Sequence, residues 1–378
     1  MMDSEAAGPR DSDGAMRIGF ALLPKKVSRY LTPAIQAAAL AEGIELYLID
    51  ISKPLSEQGP FNAIIHKLRP NRAWECDLQE YSKLHPDVRV IDRVDGIATL
   101  RNRITMLSVL RASDIVLMDP LSSSTVFRVK APPQVVIPED MPADEAEQLM
   151  LESGMRPPLI VKPVWTDGRE GSHGLAVVHD MVSLSNLLKG SVLSSVKPPA
   201  VIQEFVEHGG VLFKVYVVGN HTAVSKRPSL GDNYLGNGSG EERTGIMQLP
   251  RISCKSVSTG LSAQGDSPSG TPTSVRPSSD ASLSDMGMAT PSPQNQVVEL
   301  PPEWFTHQLA NELRKRLNMH LFNFDLLRVD AGAEDGVTGE SLYFVIDINY
   351  FPGVDKIPHF EEKFVQFLQA ACKSSVST

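Results

Sequence analysis

Two stretches near the C-terminus, LFNFDLLRV (321–329) and VIDINYFPG (345–353), each set an acid and an amide two residues apart inside a run that otherwise reads as a buried strand. Side chains alternate faces along a strand, so residues two apart point the same way. Asn323 and Asp325 therefore share one face of the first stretch, with Phe322 and Phe324 on the other. In the second stretch Val345, Asp347 and Asn349 share a face, while Ile346, Ile348 and Tyr350 turn to a hydrophobic layer. If the two strands pair across the connection AGAEDGVTGE, Asp325 and Asp347 approach each other, and two like charges at short range call for a cation. Hard oxygen donors suit magnesium. Taken singly, either acid is equally a polar residue at a sheet rim; the Asn349 and FPG that accompany Asp347 favour a site.

The chain has 378 residues, enough for two or three domains with a sizeable core. No apolar run approaches the ~20 residues of a membrane span. The N-terminal MMDSEAAGPRDSDGAMR is polar and has no apolar core, so it reads as a leader rather than a secretory signal. Cys76, Cys254 and Cys372 are odd in number, far apart and without metal-ligand spacing, which points to a reducing, cytoplasmic or nuclear address. Net charge is 36 − 45 = −9, which argues against a nucleic-acid binder. Against that background RIGFALLPKKVSRY (17–30) carries Arg17, Lys25, Lys26 and Arg29 with no acid. It makes either a positive mouth or a solvated loop.

Along the chain, Arg17–Leu23 reads as a strand, Thr32-Pro33 opens a helix ended by Gly43, and IELYLIDI follows as a second strand. The rhythm continues through AIIHKL, an amphipathic stretch over 74–84, VRVID and a helix over 97–111, which together give an open α/β unit over 17–130 after the 1–16 leader. From 131 to 230 closely spaced strands favour antiparallel sheet and an α+β arrangement. Ser, Pro, Gly and Thr dominate 253–296, within an insertion placed at 231–299 that cannot bury enough surface to order itself. The unit 300–378 opens with a helix carrying Trp304, Leu309, Leu313 and Leu317 at helical spacing, and ends with HFEEKFVQFLQAA.

Three further features carry chemistry. WTDGREGSHG (165–174) is a glycine-rich loop able to cradle phosphates, although it has neither the Walker nor the Rossmann glycine order. Lys162 ends the strand before it, and His173 lies within it. In QEFVEHGGVLFKVYVVG (203–219), Lys214 stands among Phe213, Val215 and Val217 and needs an anionic partner, unless it is an edge-strand lysine that discourages aggregation.

Lys162, QEFVEHGG, Lys214, FNFD and DINYFPG, with IIHKL, KVYVVG and RPSL, together resemble the inositol-tetrakisphosphate 1-kinase family, also called inositol 1,3,4-trisphosphate 5/6-kinases, in its plant-like branch. The similarity runs over about 17–368 apart from the Ser-rich insertion. It implies an α/β ATP-grasp fold of three subdomains, with ATP between the central and C-terminal sheets and the inositol phosphate facing the N-terminal one. It implies transfer of the ATP γ-phosphate to inositol tris- and tetrakisphosphates, in the metabolism that leads towards phytate.

Carried over by position, the resemblance puts Lys26, Lys67, His173, Lys214, Asn349 and Gly353 on the inositol polyphosphate. Arg103 of LRNR and Lys162 would touch ATP. Gln203, Glu204, Phe205, Val206, Glu207, His208, Gly209, Gly210, Val211, Leu212, Phe213 and Lys214 would hold the nucleotide, with Ser229 and Ser253 nearby. Asp325, Asp347 and Asn349 would bind magnesium, and Lys162 and Lys214 would act in catalysis. Two rivals remain: an ATP-grasp carboxylate–amine ligase, and a nucleotide-binding scaffold acting through the insertion. A monomer is expected, since no apolar stripe is left over once the core is assigned.

Overall fold

The computed structural model describes residues 15–69, 71–166, 171–172, 174–191, 196–229, 244–249, 298–329 and 340–373. Strand β1 (Met16–Leu22) leads into two helices, α1 (Pro24–Tyr30) and α2 (Pro33–Ala41), and returns as β2 (Ile44–Leu48). Then come β3 (Ala63–Lys67), α3 (Arg72–Leu84) and β4 (Arg89–Ile91), and the four strands form a parallel sheet in the order β2, β1, β3, β4. Every residue of β3 is buried, as expected of a strand covered on both faces. Thr32 accepts a hydrogen bond from Ile35 N and so caps α2. The basic stretch after β1 is a helix rather than a loop: Pro24 starts α1 within it.

The helix expected over 97–111 is three short ones, α4 (Val94–Leu100), α5 (Arg103–Met106) and α6 (Ser108–Arg111). The helix breaks at Arg101 and Asn102 because their backbone groups turn to another partner. Asn102 bridges Trp165, and Arg101 O accepts from Thr166 N at 3.0 Å.

The chain continues through β5 (Ile115–Asp119), β6 (Ser122–Lys130), β7 (Gln134–Ile137), α7 (Ala143–Ser153), β8 (Leu159–Pro163), β9 (Ala176–Val178), α8 (Met181–Leu188), β10 (Ala200–Glu204), β11 (Val211–Val218), β12 (His221–Pro228) and β13 (Ile246–Gln248). It closes with α9 (Glu303–Leu317), β14 (Leu321–Val329), β15 (Glu340–Asn349) and α10 (Phe360–Lys373). A second sheet runs β13, β9, β8, β10, β7 with antiparallel neighbours; a third runs β12, β11, β14, β15, β6, β5.

Strand pairing redraws the expected boundaries. β5 and β6, placed in the first unit by sequence order, join the third sheet, where β6 runs parallel to β15. β11 and β12 also belong to the third sheet rather than to the central unit. β13, inside the span assigned to the insertion, pairs with β9 in the second sheet. Pairing partners far apart in sequence decide these memberships, and local composition does not encode them.

Each of the two later sheets has one face covered by helices. In the second, Leu159, Val161, Ala200 and Ile202 pack with Ala146 and Met150 of α7 and Leu184 and Leu187 of α8. Alternation then turns Lys162, Val201 and Gln203 to the opposite face. In the third, Phe127 and Tyr343 pack against Phe305 of α9, with ring centroids 4.8 and 4.5 Å from it. Phe305, rather than Trp304, heads the buried stripe of α9. The first sheet and one end of the third share a core with α10, in which Phe20, Tyr30, Tyr216, Leu321 and Phe364 meet.

A register shift in β15 changes its phase. Asp325 pairs with Asp347 but Leu326 pairs with Val345, so Ile346 is the extra residue of a β-bulge. Val345 therefore lies on the α9 side with Leu326, and not with Asp347 as strict alternation would have it. The bulge puts Phe344 on the same side as Asp347. Among the described residues no helix is long and apolar enough to cross a membrane.

Candidate active site

The two acids read from the sequence stand directly opposite each other on neighbouring strands, with Asn323 opposite Asn349 one step along. Directly paired residues in an antiparallel ladder share a face, so two carboxylates and two amides form one patch. Asn349 Nδ2 donates to Asp347 Oδ2 at 2.7 Å, which leaves its amide oxygen as the other polar end. Lys214, opposite Asp325 on β11, places its ammonium 2.5 Å from Asp325 Oδ1. It thus finds the anionic partner its apolar neighbours required. Burial pushes the Asp325 carboxyl above its usual range against the pull of Lys214, and the Asp347 charge adds to the rise.

The residues present fit a hard divalent cation. Two carboxylates of like charge face each other, and Asn323, 2% exposed, keeps a buried amide oxygen without a partner. Two acids, one flanked by a lysine, supply only part of a coordination shell; among the described residues no group of three or more His, Cys, Asp or Glu gathers.

Across from this patch, on the open face of the second sheet, the buried Lys162 donates to Gln203 Oε1 at 2.6 Å and approaches Ile346 O at 3.4 Å. Burial and the nearby Arg103 lower its pKa to about 8, with Asp347 and Asp325 pulling the other way. Arg103 lies at the root of the glycine-rich loop, its Nη1 donating to the carbonyls of Pro163 at 2.7 Å, Trp165 at 3.2 Å and Ser172 at 3.3 Å. It clasps both ends of that loop.

The segment from Gln203 to Lys214 carries the chain from β10 in the second sheet to β11 in the third. Glu204, Phe205, Val206 and Glu207 border a cavity of about 670 Å³ that Val329 and Phe344 close from the third sheet. His208 Nδ1 lies 2.6 Å from Val206 O, and Gly209 and Gly210 have φ of 61° and 69°, a turn that favours glycine. Val211, Leu212 and Phe213 continue as β11, with Phe213 in the core and Leu212 opposite Leu327. Ser229 N donates to Gly210 O at 2.8 Å, which sets Ser229 beside the turn. His173 and Ser253 lie outside the described residues.

The expected substrate lysines differ in their surroundings. Lys26, on α1, lies 4.3 Å from the Phe351 ring centroid, and burial together with Arg29 and Lys25 lowers its pKa to about 8. Such a group of like charges is the setting for a polyanion. Lys67 is enclosed instead: its ammonium bonds Asp92, Leu321 O at 2.8 Å and Tyr350 O at 2.6 Å. Its three protons are therefore taken, and it ties the first sheet to the third. A methyl added at Gly353 would meet nothing within 4 Å, so the backbone there borders open space.

Sequence reasoning missed two residues that shape the same loop. Tyr30 OH donates to Pro352 O at 2.9 Å, and its ring packs edge-on against Phe351, Phe360 and Phe364. Asp92 accepts from Lys67, from His320 N and from Leu321 N. A buried acid following the apolar VRVI run was the available signal for Asp92; Tyr30 offered none.

Two sheets that face each other, one antiparallel and one with a single parallel pair, with a lysine on the first and paired acids on the second, define an ATP-grasp protein. D-alanine–D-alanine ligase from Bacillus anthracis shares the fold, at a TM-score of 0.50 and 12% identity over 94% of this chain and 97% of that one. Residues 123–370 match the inositol 1,3,4-trisphosphate 5/6-kinase ATP-grasp domain and 17–97 its pre-ATP-grasp domain. Inositol-tetrakisphosphate 1-kinase 3 of Arabidopsis thaliana is 38% identical over 94% of this chain and 86% of its own length. Inositol-tetrakisphosphate 1-kinase 4 of Glycine max is 35% identical over 95% and 89%. The chain belongs to the inositol 1,3,4-trisphosphate 5/6-kinase family and is an ATP-dependent inositol polyphosphate kinase.

Proposed function

We propose that this kinase transfers the ATP γ-phosphate in line to a ring hydroxyl of inositol tris- and tetrakisphosphates, with magnesium as its metal. The opposition of Asp325 and Asp347, flanked by Lys214, carries the reading. Asp325, Asp347 and Asn349 would hold the cation, which, when bound, neutralises phosphate oxygens. Phosphoryl transfer asks the protein mainly for alignment and charge neutralisation, so no protein nucleophile is needed. Lys162 and Lys214 would meet the developing charge from the two sheets. The Gln203–Lys214 segment, with Phe344 from the bulged strand, would receive the nucleotide base. Lys26 would bind acceptor phosphates while the Phe351–Gly353 turn approaches the ring.

The names of the plant relatives support position 1 of an inositol tetrakisphosphate as one acceptor hydroxyl. The reading includes a monomer of the cytoplasm or nucleus, in keeping with the free thiols of Cys76 and Cys372. Its test is incubation with labelled ATP, magnesium and a panel of inositol tris- and tetrakisphosphates, with the product isomers identified. Label in an inositol phosphate is expected. ADP release that depends on a carboxylic acid and an amine, with none of the panel labelled, would replace this reading with the ligase one.

A further inference from the structure

Gln134 opens β7, the edge strand of the second sheet, and pairs in register with Gln203 on β10. The two glutamines belong to an unbroken line of hydrogen bonds. Lys162 Nζ donates to Gln203 Oε1 at 2.6 Å, Gln203 Nε2 donates to Gln134 Oε1 at 3.1 Å, and Gln134 Nε2 donates to the Arg103 carbonyl at 3.1 Å.

The direction of this line follows from chemistry alone. An ammonium can only donate, so Gln203 must turn its oxygen to Lys162. Its NH₂ then faces Gln134, which must answer with an oxygen, and the Gln134 NH₂ is left for a carbonyl. At the far end stands that of Arg103. Reversing either amide would set donor against donor or acceptor against acceptor. One terminus of the line is the buried lysine facing the paired acids, and the other is the residue that clasps the glycine-rich loop.

We propose that Gln134 is a positioning residue for nucleotide binding: it fixes the orientation of the Gln203 amide, which holds the Lys162 ammonium in the cleft, and ties that assembly to the backbone of Arg103. The inference rests on the ATP site of the proposed function. Gln134 itself touches no substrate; it acts through Gln203.

The test is a double-mutant cycle in the full chain with Gln134→Met, Gln203→Met and both together. Affinity for ATP is measured by calorimetry, and KM for ATP and for an inositol polyphosphate by turnover. Gln134→Met is expected to weaken ATP about three- to tenfold, the range for one buried hydrogen bond, leave the inositol polyphosphate KM unchanged, and have no further effect once Gln203 is Met. Gln134→Glu keeps an oxygen towards Gln203 but sets its other oxygen against the Arg103 carbonyl, so it should recover only part of the affinity lost in Gln134→Met; it also serves if the Met variant does not fold. Equal losses for Gln134→Met in both backgrounds, equal losses for Met and Glu, or a lowered melting temperature with ATP affinity unchanged would each overturn the inference. An unaltered protein that binds no ATP would overturn the underlying reading instead.

Discussion

Asp325 and Asp347 face each other across β14 and β15, and Lys214 reaches only the first of them, at 2.5 Å. Among the described residues Asp347 is hydrogen-bonded by Asn349 and held by no lysine, and its charge acts at longer range on Lys162 and Arg103. Asp347→Asn should therefore keep the fold and lower turnover by at least ~10²-fold, the cost of losing one preorganised electrostatic contact. Labelled-ATP turnover and a thermal melt check this together. Chelation of divalent ions should silence the unaltered enzyme to a similar degree, with recovery on adding magnesium.

The ammonium of Lys26 has a pKa near 8 because burial and its cationic neighbours oppose the charged form. It carries its charge below that value and loses it as pH rises through it. KM for the inositol polyphosphate should accordingly climb above about pH 8, and Lys26→Met should remove that rise while raising KM at neutral pH. For stability the sign is opposite to that of a favourable ion pair. The unfolded chain holds this proton up to about 10.5, so the free energy of unfolding gains from Lys26 between roughly 8 and 10.5.

Lys67 and Asp92 form an ion pair whose side chains are both 0% exposed. Removing one partner leaves a charge in a dry setting, and Asp92→Ala should cost about 3–5 kcal/mol of stability. Chemical denaturation read by circular dichroism measures it. Lys67→Met, which removes the charge along with its two carbonyl bonds, should also raise KM for the inositol polyphosphate, because Tyr350 would lose its tie to the first sheet.

Tyr30→Phe removes a single hydrogen bond, that to Pro352 O, and leaves the aromatic packing in place. The expected loss is about 1 kcal/mol, or roughly fivefold, read as a higher KM for the inositol polyphosphate with the ATP KM unchanged. Equal changes in both KM values would argue against Tyr30 acting on the acceptor side.

The sequence was most legible where chemistry and period agree. Asp325 and Asp347 could be paired in advance, and Lys214 marked as needing an anion, because an acid or a lysine on an apolar strand must have a partner and strand period states which residues share its face. That the anion is Asp325 came only from the strand register. The membership of β5, β6 and β13 could not be read, since sheet neighbours are settled by contacts between distant segments. Lys67 illustrates the same limit within the site. IIHKL resembles the family motif closely, yet the enclosure of its ammonium depends on Asp92, Leu321 and Tyr350, which lie 25, 254 and 283 positions away. Val345 was misplaced for a smaller reason, one uncounted residue in an otherwise regular strand.

That residue, Ile346, has no opposite number on β14, and its carbonyl is the one that Lys162 approaches. The ladder on either side would close without it, and both Phe344 and Asp347 would keep their faces. What deletion would take away is a main-chain oxygen, whereas most side-chain changes at 346 would leave that oxygen where it is. Position 346 is thus open as to which amino acid fills it but closed to being skipped, a constraint on chain length rather than on chemistry.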